Sequence, residues 1–168
     1  MTSLLFKDIT VLTEEGKTVP HAYVGVTGST ISHFQLTRPE GAFDRTIDGR
    51  GKLLMPALYN AHVPMTLLRG RGDNLPLDRW LNEAIFPFEA HIMEDATYHA
   101  TLLGIAEMLR FGVVSFTDMY FCTDARARAV LDSGVKCNLS DCVVCSEPGM
   151  TYYDLPLAKE NEQWIAQY

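Results

Sequence analysis

The side chains able to do chemistry in this sequence are few and spread out. Cys142 and Cys145 form a C-x-x-C pair, the spacing of redox and zinc motifs, but no second C-x-x-C or H-x-x-x-H pair supplies the other two ligands of a four-ligand site. Cys137, Cys142 and Cys145 fall in an apolar stretch that reads as a buried strand. With Cys122 they are read as reduced, structural thiols. His62 stands alone in Asn60-Ala61-His62-Val63-Pro64, and Glu89 and Asp118 are carboxylates close to the ends of predicted elements. His91 and His99 flank or lie on an outer helix and read as surface residues. Arg71-Gly72-Asp73 matches an adhesion tripeptide, but three-residue matches arise by chance and this one sits inside a predicted loop.

The elements that must position these groups change character along the chain. Residues 4–12, 19–26 and 30–36 read as short strands joined by turns at Glu14-Glu15-Gly16 and Thr27-Gly28-Ser29, a small β unit over residues 1–50. From residue 51 to 168 the texture is βα. Residues 52–59 form a continuous apolar run, as in a strand buried on both faces, and residues 69–74 form a polar loop. Asp78 is the expected N-cap of a helix carrying Trp80, Leu81, Ala84 and Ile85, which Pro87 ends or bends. Glu94-Asp95 open a second helix reaching Arg110, with Leu102, Ile105, Ala106 and Leu109 as its buried stripe. Residues 113–116 give a strand, 124–131 a helix closed by Gly134, and 135–144 another strand; 148–156 read as loop and 157–168 as the start of a helix. Strand, helix, strand in this order implies parallel pairing through crossovers, so the fold class is α/β.

Bulk composition narrows the partners. With 14 basic and 21 acidic residues the net charge is -7, which opposes attraction to a phosphate backbone, so nucleic acid is not an expected partner. No apolar run reaches the roughly 20 residues of a membrane span, and no basic region precedes Leu4-Leu5-Phe6, so a cytoplasmic protein with no membrane partner is expected.

The segment Met55-Pro56-Ala57-Leu58-Tyr59-Asn60-Ala61-His62-Val63-Pro64-Met65-Thr66 resembles the first barrel strand of the amidohydrolase superfamily, within it the methylthioadenosine and S-adenosylhomocysteine deaminase branch. Trp80-Leu81-Asn82-Glu83, Ile85-Phe86-Pro87-Phe88-Glu89, Glu107-Met108-Leu109-Arg110-Phe111-Gly112 and Thr117-Asp118-Met119-Tyr120-Phe121 follow in family order. The resemblance covers nearly the whole chain but only the N-terminal portion of the family's domain. It implies a partial TIM-type (β/α) barrel of about three βα units, preceded by strands of a small flanking β domain. It also implies deamination of purine nucleosides or related amidine-containing rings, in which a divalent metal, zinc or iron, lowers the pKa of a bound water to about 7 for attack on the amidine carbon.

Relatives read Asn-Ala-His-Thr-His-Ala-Pro-Met-Thr here, with two histidines on one side of the strand; this chain is two residues shorter and keeps only His62. The family's further histidine, aspartate and proton-shuttling glutamate come from later strands, beyond Tyr168. A catalytic zinc takes three protein ligands and water, so the chain alone is not expected to retain the ion. His62 is therefore either a residual metal contact or a solvated polar residue at a strand end. Glu89 matches the glutamate that holds the ribose hydroxyls in that branch, with an exposed helix-end carboxylate as the plain alternative. Asp118 ends a predicted strand where barrel enzymes place functional groups, and is read as capping the next turn. Asp141 falls where that branch tends to carry a substrate-contacting arginine.

Two functions follow: the N-terminal portion of a nucleoside-type deaminase, inactive alone, or a non-catalytic interaction module or decayed fragment. An open three-stranded piece exposes a strand edge and apolar surface, which predicts self-association or a complementary chain. A small nucleoside-like molecule is the expected substrate.

Overall fold

A computed structural model describes residues 2–66, 70–143 and 148–167, which fall into two compact units, Met1–Pro56 and Ala57–Tyr168. The first is built on strands β1 (Ser3–Leu12), β2 (Thr18–Thr27), β3 (Thr30–Gln35), β4 (Arg45–Asp48) and β5 (Leu53–Leu54). The order is β3-β2-β1-β4, antiparallel across the two hairpins, with β4 and β5 each parallel to β1. Apolar residues on one face, Ile9, Ala22 and Val24, form the core, with Phe6, Val11, Val19 and Leu54 packed around it. β4, short and mostly exposed, carries only Ile47 as an inward apolar signal and is absent from the sequence reading.

The predicted strand over residues 52–59 is two strands. Leu53–Leu54 pairs with β1 in the first unit, and β6 (Leu58–Asn60) belongs to the second. Pro56 lies between them; lacking an N–H it cannot donate to a ladder, so it interrupts a run that looks uniform by hydropathy. The change of texture read after Gly51 thus precedes the division between the compact units.

The second unit is a parallel sheet in the order β6-β7-β8, with β7 at Val113–Tyr120 and β8 at Lys136–Asp141. It is α/β, as expected. α3 (Glu94–Arg110) leads into β7, and α4 (Thr123–Ser133) crosses from β7 to β8. Gly134, at φ 73°, closes α4 in the left-handed conformation that a residue with a Cβ adopts only at a cost. β7 runs four residues past its predicted end, and the strand predicted over residues 135–144 stops at Asp141. Arg69 and Val144 of the predicted elements lie outside the described residues.

Two helical expectations are corrected. The chain enters the first helix through Pro76 rather than Asp78: α1 (Leu77–Arg79) passes into a π-helical turn, Trp80–Ile85, and then α2 (Phe86–Glu89). Pro87 sits inside this run because the π turn widens the helix ahead of it. Phe86 N–H reaches back five residues to Leu81, relieving the clash a proline ring makes with the carbonyl four residues earlier. In α3 the buried row is Thr97, Thr101 and Ile105, with Met108 packed beside it; Leu109 is 45% exposed and Ala106 is also exposed. Of the predicted stripe, Ile105 is buried and Leu102 half-buried; the i, i+4 row that faces the sheet is completed by the threonines, which hydropathy passes over. Its core contacts are Met65, Ile105 and Phe116, flanked by Val63, Met108, Val130, Val135 and Cys137.

In β7 the residues Phe116, Asp118 and Tyr120 alternate inward and are buried, while Met119 is 44% exposed. On the other face, the Tyr59 hydroxyl and the Thr117 hydroxyl are hydrogen-bonded.

Candidate functional site

The C-terminal ends of β6, β7 and β8 gather the polar groups of the second unit, the end where parallel α/β sheets carry their ligand-binding groups. His62 follows β6. Its N–H donates to Asn60 Oδ1 at 3.3 Å, its side chain is exposed, and Val63 N–H donates to the Thr117 carbonyl at 2.9 Å. Glu89 is the last residue of α2, half-buried, and its Oε1 accepts a 2.6 Å hydrogen bond from the Tyr120 hydroxyl. Tyr120 itself is only 6% exposed. Burial, then the bond to Glu89, holds its phenol well above the ordinary tyrosine range. It stays protonated and remains a donor.

Asp118, two residues earlier on the same strand face, is fully buried against an equally buried Arg126, with Nη1 3.2 Å from Oδ2. Burial raises the Asp118 pKa, and the Arg126 charge opposes that rise. Nη2 of Arg126 donates to the carbonyls of Tyr120 (2.5 Å) and Ser140 (2.9 Å) and to Thr123 Oγ1 (2.8 Å), while Nε reaches the Phe121 carbonyl (3.0 Å). The guanidinium cross-links the ends of β7 and β8. Asp118 therefore serves the scaffold, by anchoring this cation rather than by capping the turn.

The predicted site residues do not converge on one point. Among the described residues, no three His, Cys, Asp or Glu side chains lie together as metal ligands. Asp118 is committed to Arg126, and a single imidazole falls short of the three donors of a catalytic zinc. The described residues do not make a catalytic metal centre. His91 and His99 are exposed, with His99 3.6 Å from Asp95 one turn away on α3. Asp141 Oδ1 accepts the Cys142 N–H at 2.8 Å. Cys122, Cys137 and Cys142 are free thiols. Burial pushes Cys137 up to about 12 and also raises Cys142, where the Glu89 and Asp141 carboxylates add to the effect. Thiols held protonated are poor metal ligands and nucleophiles. Cys145 lies outside the described residues.

Tyr120 and Arg126 escape the sequence reading. Tyr120 shares the inward face of β7 with Asp118, a period-two signal the short predicted strand cut off. Arg126 and Arg128 look alike in Ala125-Arg126-Ala127-Arg128-Ala129, and only the phase of α4 shows that the first is buried and the second exposed.

Residues 53–164 match the sequence profile of the amidohydrolase family. The chain is 52% identical over 106 residues to the 5'-deoxyadenosine deaminase of Methanothermobacter thermautotrophicus, covering 62% of this chain and 25% of that protein. It is 40% identical over 139 residues to the 5-methylthioadenosine/S-adenosylhomocysteine deaminase of Dictyoglomus thermophilum, covering 82% of this chain and 32% of that one. Among solved structures, an adenosine deaminase from Xanthomonas campestris with bound zinc superposes at TM-score 0.72 and 35% identity, over 81% of this chain and 33% of the other. A zinc complex of atrazine chlorohydrolase from Arthrobacter aurescens TC1 shares the fold at TM-score 0.74 and 18% identity, over 88% of this chain and 38% of that one. The chain spans a quarter to a third of the length of the deaminase relatives. No helix among the described residues is long and apolar enough to cross a membrane.

Proposed function

Because the chain belongs to the amidohydrolase family, we propose that it is the N-terminal portion of a deaminase of purine nucleosides or related amidine-containing rings, supplying the sugar-binding side of the site. The observation that carries this reading is Glu89, a half-buried carboxylate fixed at the C-terminal end of the parallel sheet by Tyr120 and paired with no cation among the described residues. A carboxylate with free lone pairs suits two adjacent hydroxyl donors, the chemistry of a ribose diol. Relatives named as adenosine, 5'-deoxyadenosine and methylthioadenosine deaminases support the same substrate class. Residues 1–50 contribute strands of a flanking β domain, and 51–168 the first βα units of a barrel. His62 is the one position left from the metal-binding strand. Release of ammonia needs donors that the described residues do not bring together, so turnover requires further polypeptide that carries them.

A second reading, a non-catalytic interaction module or decayed fragment, is favoured by the exposed apolar side chains of the open sheet, Leu58 at 50% and Met119 at 44%. Purified chain, assayed for bound zinc and iron and for ammonia release from adenosine and S-adenosylhomocysteine, separates the possibilities. Stoichiometric metal with turnover overturns the requirement for further polypeptide. A metal-free chain that regains ammonia release when mixed with the remaining two-thirds of a relative supports the deaminase reading, and one that stays inert in that mixture supports the module.

A further inference from the structure

Glu89 ends a run of helix whose direction is set by an unusual device. The π turn at Trp80–Ile85 inserts an extra residue into the helical repeat, and one residue is worth about 100° of rotation. Everything after it, Glu89 included, faces a different way than an uninterrupted α-helix would present. What the rotated carboxylate meets is the Tyr120 hydroxyl at 2.6 Å. Tyr120 is itself immobilised: its side chain is buried, its ring packs against Phe121 with centroids 5.2 Å apart, and its carbonyl is held by the Arg126 guanidinium at 2.5 Å. A chain of hydrogen bonds therefore runs from the end of β8 through Arg126 and the end of β7 to one oxygen of Glu89.

We propose that Tyr120 is a positioning residue that locks the Glu89 carboxylate in the orientation needed to accept both hydroxyls of a vicinal diol. The proposal rests on the reading of Glu89 as the sugar-binding residue. The geometry divides the lone pairs. Tyr120 occupies one position on Oε1, leaving the second position there and both positions on Oε2 open to donors. Without the phenol, Glu89 is a terminal glutamate whose last torsion is broad and nearly two-fold, and a diol would have to order it on binding. Tyr120 acts on the diol-dependent part of affinity and on nothing else about the ligand.

The test compares adenosine with 2',3'-dideoxyadenosine, by calorimetry on the full chain, in the unaltered protein, Glu89→Gln and Tyr120→Phe. The expected result is a preference for adenosine that Glu89→Gln abolishes. Tyr120→Phe should reduce it about tenfold, the size of one charge-assisted hydrogen bond, with dideoxyadenosine affinity unchanged. If Tyr120→Phe keeps the preference while Glu89→Gln loses it, the positioning role is wrong and the Glu89 reading stands. If Tyr120→Phe weakens both ligands equally, Tyr120 is a packing residue and the proposal fails. Equal affinities in the unaltered chain, or no binding of either nucleoside at millimolar concentration, overturn the Glu89 reading and the proposal with it. Should Tyr120→Phe not fold, 3-fluorotyrosine at position 120 retains the hydroxyl. Its fluorine resonance should move with adenosine and not with the dideoxy analogue, and a silent resonance rejects the proposal.

Discussion

Arg126 and Asp118 are both fully buried, with Nη1 3.2 Å from Oδ2, and the same guanidinium holds the Tyr120 and Ser140 carbonyls. Removing one partner of such a pair leaves an uncompensated buried charge. Arg126→Met should therefore destabilise the second unit by about 3–5 kcal/mol, and Asp118→Asn by less, because the guanidinium keeps its carbonyl and hydroxyl acceptors. The pH dependence adds a second check. Burial holds the Asp118 pKa above its ordinary 3.8, so the folded chain binds that proton more tightly than the unfolded chain does. Its contribution to stability is full below the ordinary value and is lost as pH rises through the folded pKa. Arg126→Met removes the opposing charge and should steepen that loss. Thermal melts from pH 3 to 8 read both effects, and a flat profile in Arg126→Met contradicts this account.

The buried row of α3 makes a separate prediction. Ile105 and Leu109 both belong to the stripe that hydropathy favours, yet Ile105 is 1% exposed against Met65 and Phe116 and Leu109 is 45% exposed. Ile105→Ala should cost ~2–5 kcal/mol in urea unfolding, and Leu109→Ala under about 1 kcal/mol. Comparable losses at the two positions would return Leu109 to the buried stripe.

How far the sequence disclosed this arrangement depended on which periodicity carried the signal. α3 was legible from end to end, and α4 to within one residue at its start and two at its end, because acidic residues open α3 and Gly134 closes α4. The α/β order followed from alternation of elements. β4 was not legible, since four residues with one inward apolar side chain carry almost no pattern. Pro87 read as ending or bending the helix, because only the structure shows the π turn that accommodates it within the run. Within the site, His62 and Glu89 stood out by motif, but the contacts of Glu89 were not recoverable. Tyr120 lies 31 residues away in the chain, and nothing local marks a tyrosine that will donate across that gap.

Gly49 is a point of close backbone approach in the first unit. A Cβ built there would fall 2.4 Å from Ile9 Cβ and 2.8 Å from Ile9 Cα, and backbone cannot swing aside as a side-chain tip can. Ile9 is itself at the centre of the β core. Gly49→Ala should cost about 1–3 kcal/mol through overpacking. The effect should appear as faster hydrogen exchange in β1 and β4, with the second unit's amides unchanged if the two units unfold separately. Unaltered exchange in β1 would show that the close approach carries no packing consequence.

Cys137 offers a prediction about reactivity whose sign is fixed by burial. Its thiol lies on the half-buried face of β8, beside the core formed by Phe116 and Ile105, and burial raises its pKa from 9.0 to about 12. The ionised form is thus disfavoured in the folded state. The stability associated with keeping Cys137 neutral is complete below the unfolded thiol's pKa and is lost as pH climbs from about 9 toward 12. At pH 8 a rise of this size lowers the thiolate fraction by about a thousandfold relative to the unfolded chain, and thiolate is the species that alkylates. Iodoacetamide labelling followed by peptide mass spectrometry should find Cys137 protected in native protein and labelled in urea. The protection should fade above pH 9 in step with a falling melting temperature. Rapid native labelling of Cys137 at pH 8 would mean that β8 opens to solvent far more often than its packing against α4 and Phe116 implies.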